Sequence, residues 1–163
     1  MIEQQNVDAT SRVVVFLDFD GVTHSEPCGD AACFSQLPLI ESVLRGFASV
    51  EIVISSSWRD KFNLDDLRDF FAPDMAARVM DVTPSIKRPS SDWLPGNTPK
   101  HEREWEIESW MKANRDWNVP WIAIDDRPYW FRPDSPNLLL TDSKTGFTQQ
   151  DQERLQAMIK ARL

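Results

Sequence analysis

The sequence predicts an α/β protein, a three-layer Rossmann-like parallel sheet with helices on both faces. Short runs of β-branched and apolar residues, too short for helices, recur along the chain. Stretches with apolar residues at 3–4 spacing separate them. Strands that alternate with helices pair in parallel through right-handed crossovers. Three of the strand runs also end in Asp or Ser, and open sheets of this class bind ligands at the carboxyl ends of their strands.

The first strand spans residues 12–19 and ends in Asp18-Phe19-Asp20-Gly21, where Gly21 allows a sharp turn. A loop over 23–36 leads to a helix over 37–48, with Leu39, Ile40, Val43, Leu44 and Phe47 on one face. Strand two is 50–54 and ends in Ser55-Ser56-Ser57-Trp58-Arg59. Asn63 caps a helix over 64–71, with Asp65 and Asp66 favourably placed in its first turn and Pro73 closing it. A short helix and a third strand follow around 76–82.

Residues 83–99 form a long, proline-rich loop, and 100–114 a helix with Ile107, Trp110 and Met111 on one face. Loops of that length are usually functional or disordered. Strand four, 120–124, ends in Asp125-Asp126, and strand five is 138–140. Thr148 caps a last helix with Leu155, Met158 and Ile159 inward. Trp105, Trp110, Trp117 and Trp121 read as core; Trp93 and Trp130, in loops, read as walls of a site.

With 163 residues and 41% hydrophobic content, the chain suits one domain, 12–163, behind a loose tail, 1–11. A formal net charge of −8 argues against non-specific nucleic-acid binding and against anionic membranes. No apolar run reaches the length of a membrane span, and residues 1–11 lack the apolar stretch of a signal peptide. The expectation is no membrane partner and a cytoplasmic location. His24, Cys28 and Cys33 form an H-x3-C-x4-C string without an evident fourth zinc ligand, so two reduced thiols are expected.

In a parallel sheet, the ends of strands one, two and four share an edge. Asp18, Asp20, Ser55, Asp125 and Asp126 therefore converge. Carboxylates packed together repel unless a cation or a proton intervenes. Oxygen ligands with open positions favour Mg²⁺, and Mg²⁺ bridges carboxylate and phosphate oxygens. A phosphorylated substrate follows, with Ser55 as donor to a phosphate oxygen and Lys100 or Arg103 as the balancing cation. Each residue also has a plain role: Ser55 can cap a turn, and Asp125-Asp126 can cap a helix. Trp58 can be core. Arg59 can pair with a surface carboxylate or reach a phosphate, and His24 can face substrate or lie on a surface loop.

Asp18-Phe19-Asp20-Gly21-Val22, Ser55, a Lys or Arg at 100–103, and Ile124-Asp125-Asp126 resemble the four motifs of the haloacid dehalogenase-like (HAD) superfamily. The Ser55–Arg59 string, Arg103-x-x-Glu106-Ile107, and Thr141-Asp142 with Gly146-Phe147-Thr148 resemble a small bacterial subgroup, the HAD domains of RNA-repair proteins. The resemblance implies a phosphatase in which Asp18 is the nucleophile and Asp20 the general acid and base. It implies that Asp18, the Asp20 backbone carbonyl and Asp125 hold Mg²⁺ with Asp126 in support, and that Ser55 binds the phosphoryl group. Arg103, in the better-matching helix context, is slightly favoured over Lys100.

Superfamily caps are inserted where this chain has only 23–36 and 83–99, both too short to fold alone. The cap is therefore minimal and the site open to a phosphorylated macromolecule or a nucleic-acid end, with Lys87, Arg88, Arg127 and Arg132 as a positive rim. Phosphotransfer on the same fold is one alternative. A receiver-like phosphoacceptor module is another, although receivers place the adjacent acidic pair first and here it comes last.

Overall fold

A computed structural model describes residues 11–29, 31–86 and 100–163. Val13–Leu17 (β1) is the middle strand of a five-stranded parallel sheet. On one side it pairs with Val50–Ile54 (β2), which pairs with Val79–Val82 (β3). On the other it pairs with Trp121–Asp125 (β4), which pairs with Leu138–Leu140 (β5). The strand order is β3-β2-β1-β4-β5. A central strand covered on both faces has no solvent side, which explains why Val-Val-Val-Phe-Leu carries no polar position.

Alternation along β1 divides the core in two. Val13, Val15 and Leu17 face Leu37–Arg45 (α1), Leu64–Arg68 (α2), Pro73–Ala76 (α3) and Gln149–Lys160 (α5), through Ile40, Leu44, Leu67, Met75, Leu155 and Ile159. Val14 and Phe16 face Glu102–Asn114 (α4), through Ile107, Trp110 and Met111. Phe16 meets the rings of Trp110 and Trp121 edge-on, with centroids 5.6 and 6.0 Å away. The expected layers, helices on both faces of a parallel sheet, are those of the molecule.

The ends of several elements differ from expectation. Pro73 opens α3 instead of closing α2, because its fixed φ suits a first helical turn. Trp105 and Trp117 are not core: they are 46% and 97% exposed. Trp105 lies on the outer side of α4, and Trp117 lies in the turn after it. Asn63 caps α2 through a bond from the Asp66 amide, and Thr148 forms a reciprocal capping box with Asp151.

Cys28 and Cys33 form a disulfide, which corrects the expectation of reduced thiols. A turn closed by the Ala32 amide on the Gly29 carbonyl brings their Cα atoms to 5.4 Å. The oxidised pair offers no thiolate to a zinc ion. The expected tail falls almost wholly on residues that lie outside the described ones, as do Lys87, Arg88 and Trp93. Among the described residues, no helix is long and apolar enough to cross a membrane.

Candidate active site

The strand ends meet as the parallel topology requires. The Asp18 amide donates to Ile124 O at 3.1 Å, and the Ser55 amide donates to Leu17 O at 2.9 Å. These bonds continue the β1–β4 and β1–β2 ladders by one residue. Asp18 therefore sits between Ser55 and Asp125 at one sheet edge. Beyond Asp18 the side chains split. Phe19 turns into an aromatic cluster with Phe34, Trp58, Phe70 and Phe71, its ring 5.1 to 6.3 Å from theirs. Asp18 and Asp20 are left on the polar side.

Asp18, Asp125 and Asp126 each present a carboxylate oxygen, and the three lie within 4.8 Å of one another. Asp18 Oδ1 accepts from the Phe19 amide at 2.8 Å, and Asp125 Oδ1 from the Arg127 amide at 2.9 Å. Among the described residues, both oxygens of Asp126 are buried without a hydrogen-bond partner; Arg127 Nε is 3.7 Å from Oδ2. Gly21, at φ +74°, makes room for this carboxylate: a Cβ there would lie 2.2 Å from Asp126 Oδ2.

Burial raises the proton affinity of all three acids. Asp18 is pushed up by desolvation and then by the neighbouring Asp125 charge. Asp125 is raised to about 6 by desolvation, against the pull of Arg103. Asp126 is raised by desolvation, opposed by Arg127.

Arg103, on the first turn of α4, is the cation inside this cluster. Its Nη1 donates to the Ser55 carbonyl and lies 3.3 Å from Ser55 Oγ, and its Nε is 3.4 Å from Asp125 Oδ2. The guanidinium lies 5.0 Å over the Trp130 ring, which forms a wall of the site. Lys100 is exposed ahead of α4. Arg59 is taken up by structure: it pairs with Glu106 at 3.0 Å and donates to Ser56 O and Thr83 Oγ1. Two rim cations are likewise paired, Arg127 with Glu26 and Arg132 with Glu108.

Asp20 stands beside the three clustered acids, near enough for its charge to act on Asp126. Its Oδ1 is 2.9 Å from His24 Nε2, and its Oδ2 accepts from Trp58 Nε1 at 3.1 Å. His24 is fully buried, which corrects the surface-loop reading. The turn after Gly21 folds back, with the Thr23 amide on Phe19 O, and brings His24 under Asp20. The β5–α5 segment supports that turn from behind. Thr141 Oγ1 donates to Gly21 O at 2.7 Å, and the Phe147 amide to Val22 O at 2.8 Å. Gly146, at φ +68°, lets the two backbones touch, since a Cβ would lie 3.0 Å from Val22 O. These contacts to Asp20 join residues 4 and 38 positions apart, and no sequence pattern marked them.

The residues fit a hard divalent cation. Three buried carboxylates face one partly shared guanidinium, and Asp126 has two oxygens to which none of the described residues donates. Unpaired buried carboxylates are costly, and a divalent ion with oxygen ligands removes that cost.

Residues 14–152 match the model of a protein family described as the HAD domain in Swiss Army Knife RNA repair proteins. No curated protein and no solved structure matches the chain.

Proposed function

The chain belongs to the family of HAD domains in Swiss Army Knife RNA repair proteins and is a HAD-type hydrolase domain; from that premise we propose a Mg²⁺-dependent phosphohydrolase that works through an aspartyl-phosphate. The observation that carries the proposal is the meeting of Asp18, Asp125 and Asp126 with Ser55 and Arg103 at one sheet edge.

In this proposal an Asp18 carboxylate oxygen attacks phosphorus. The bond from phosphorus to the leaving oxygen breaks, and Asp20 gives that oxygen its proton. Asp20, now a carboxylate, takes a proton from a water whose oxygen attacks the aspartyl-phosphate. The phosphorus–Asp18 bond breaks, releasing inorganic phosphate and returning both acids to their starting states. Arg103 and Ser55 bind the phosphoryl oxygens and offset their charge. Asp18, Asp125 and the Asp20 backbone carbonyl, with Asp126 in support, would hold Mg²⁺, which would supply charge neutralisation at the carboxylates and the phosphoryl group.

A phosphorylated RNA terminus is the proposed substrate class. The family description ties relatives to RNA repair, and Phe34, within the short 23–36 stretch, packs down on Phe70. The test is hydrolysis, with Mg²⁺, of 3′- and 5′-phosphorylated oligoribonucleotides against sugar phosphates and nucleotides. Release of phosphate from oligonucleotide ends at a higher kcat/KM than from small esters is expected. The reverse order overturns the substrate class, and no turnover of any ester overturns the hydrolase. Transfer to an acceptor other than water would leave less free phosphate than ester consumed.

The metal leaves a pH signature. Without a divalent ion, the raised Asp125 favours its protonated form in the folded chain. That contribution is fully present below about pH 4 and lost as pH rises through about 6, a change of about 3 kcal/mol. Asp18 and Asp126 add in the same direction. Mg²⁺ replaces the protons. The expected result in a thermal melt is a larger Mg²⁺-induced rise in Tm at pH 8 than at pH 5. Equal shifts at both values would contradict metal binding at this cluster.

A further inference from the structure

Asp20 is gripped at both oxygens by neutral donors, and we infer that His24 and Trp58 are positioning residues that aim its proton at the leaving oxygen; this rests on the phosphohydrolase proposed above.

The tautomer of His24 follows from its neighbours. Nδ1 lies 3.1 Å from the Thr23 hydroxyl, which can donate or accept, and 3.2 Å from the Phe34 backbone N–H, which can only donate. Nδ1 therefore carries the lone pair. In the neutral ring, Nε2 carries the hydrogen and donates to Asp20 Oδ1. Trp58 Nε1 is a donor in every state and takes Oδ2. Each Asp20 oxygen thus accepts one N–H, and neither donor is a lysine or arginine.

Both donors are immobilised. The His24 side chain is 1% exposed, with its ring 5.3 Å from Phe34 and 5.9 Å from Trp58. Trp58 packs edge-on against Phe19, Phe34 and Phe70 and stacks on Phe62. The Asp20 side chain keeps 38% exposure, so the gripped carboxyl is still reached from solvent. Without these donors it would be free to rotate out of the position they fix.

A misplaced acid matters most when the leaving group is strongly basic. p-Nitrophenolate leaves with little help, whereas an alkoxide needs a proton as its bond breaks. The parameter kcat/KM reports only steps through the first irreversible one, here transfer of phosphorus to Asp18. The experiment compares kcat/KM for p-nitrophenyl phosphate and glycerol 2-phosphate in wild type, Trp58→Phe, His24→Leu and His24→Gln. Trp58→Phe keeps a ring but removes the donor; His24→Gln restores an amide donor near the Nε2 position. For Trp58→Phe and His24→Leu, the alkyl ester should lose about tenfold more than the aryl ester. His24→Gln should recover most of the difference.

Equal losses on both esters, or no recovery in His24→Gln while it melts like wild type, would overturn the positioning role and leave the hydrolase standing. A wild type that hydrolyses neither these esters nor phosphorylated oligoribonucleotides would overturn both. Parallel labelling of Asp18 by substrate phosphate separates the two failures.

Discussion

Asp18→Asn is expected to abolish ester hydrolysis, a fall of order 10⁴-fold or more, because an amide cannot attack phosphorus. The substitution is nearly isosteric, and its carbonyl can still accept from the Phe19 amide that holds Asp18 Oδ1 at 2.8 Å. Loss of fold is therefore not the expected cause. The metal-free variant should melt higher than wild type at pH 8, since one of three crowded, desolvated charges has gone. Turnover of p-nitrophenyl phosphate and a thermal melt measure the two effects, and covalent labelling by radioactive substrate locates the lost step. Retained turnover would remove Asp18 as nucleophile. Lost turnover with labelling intact would move the role of Asp18 to the second half of the reaction.

Arg103→Gln carries the second largest effect. It removes the cation that touches both Ser55 and Asp125. Loss of a charged donor to a transferring phosphoryl group costs of order 10² to 10³ in kcat. Breaking a buried ion pair also leaves its partner uncompensated, at about 3–5 kcal/mol, and Asp125 is 1% exposed. Both the rate and the urea midpoint should fall, and Mg²⁺ should restore part of the midpoint by pairing Asp125. Arg103→Lys should recover less than half of the stability. An ammonium cannot present one donor to Asp125 and another to Ser55 as the guanidinium fork does. Lys100→Gln, on the exposed side of the approach to α4, should change kcat less than tenfold. If Lys100→Gln proved the more damaging of the two, the assignment of the third cation would reverse.

The layered fold and the polar ends of its strands were legible because hydrophobic periodicity reports directly on burial. The run Val13 to Leu17 admits no polar side, so it could only be a covered strand. Once it is central and parallel to its neighbours, the residues after β1, β2 and at the end of β4 must share an edge. That places Asp18, Ser55 and Asp125 together without any knowledge of side chains. The α5 cap at Thr148 was equally local, a hydroxyl and a carboxylate three residues apart.

Other features depended on how finished elements sit against each other. Lys100 precedes α4 and Arg103 lies on its first turn, and only the start of α4 and its rotation about its axis decide which reaches Ser55. The same rotation exposes Trp105 and buries Trp110. α4 buries Arg103, Glu104 and Glu106 beside its apolar residues, so its periodicity was a weak guide to its facing. The grip of His24 and Trp58 on Asp20 is the plainest case. It needs a left-handed turn at Gly21, a backbone amide from Phe34 and an indole 38 residues away, and none of these has a sequence period. The sequence by itself determined which residues bury and where each strand ends, because those depend on composition along one element. Which donor meets which acceptor was decided only by the tertiary structure, because that depends on the rotation and register of separate elements fixed by the packed core.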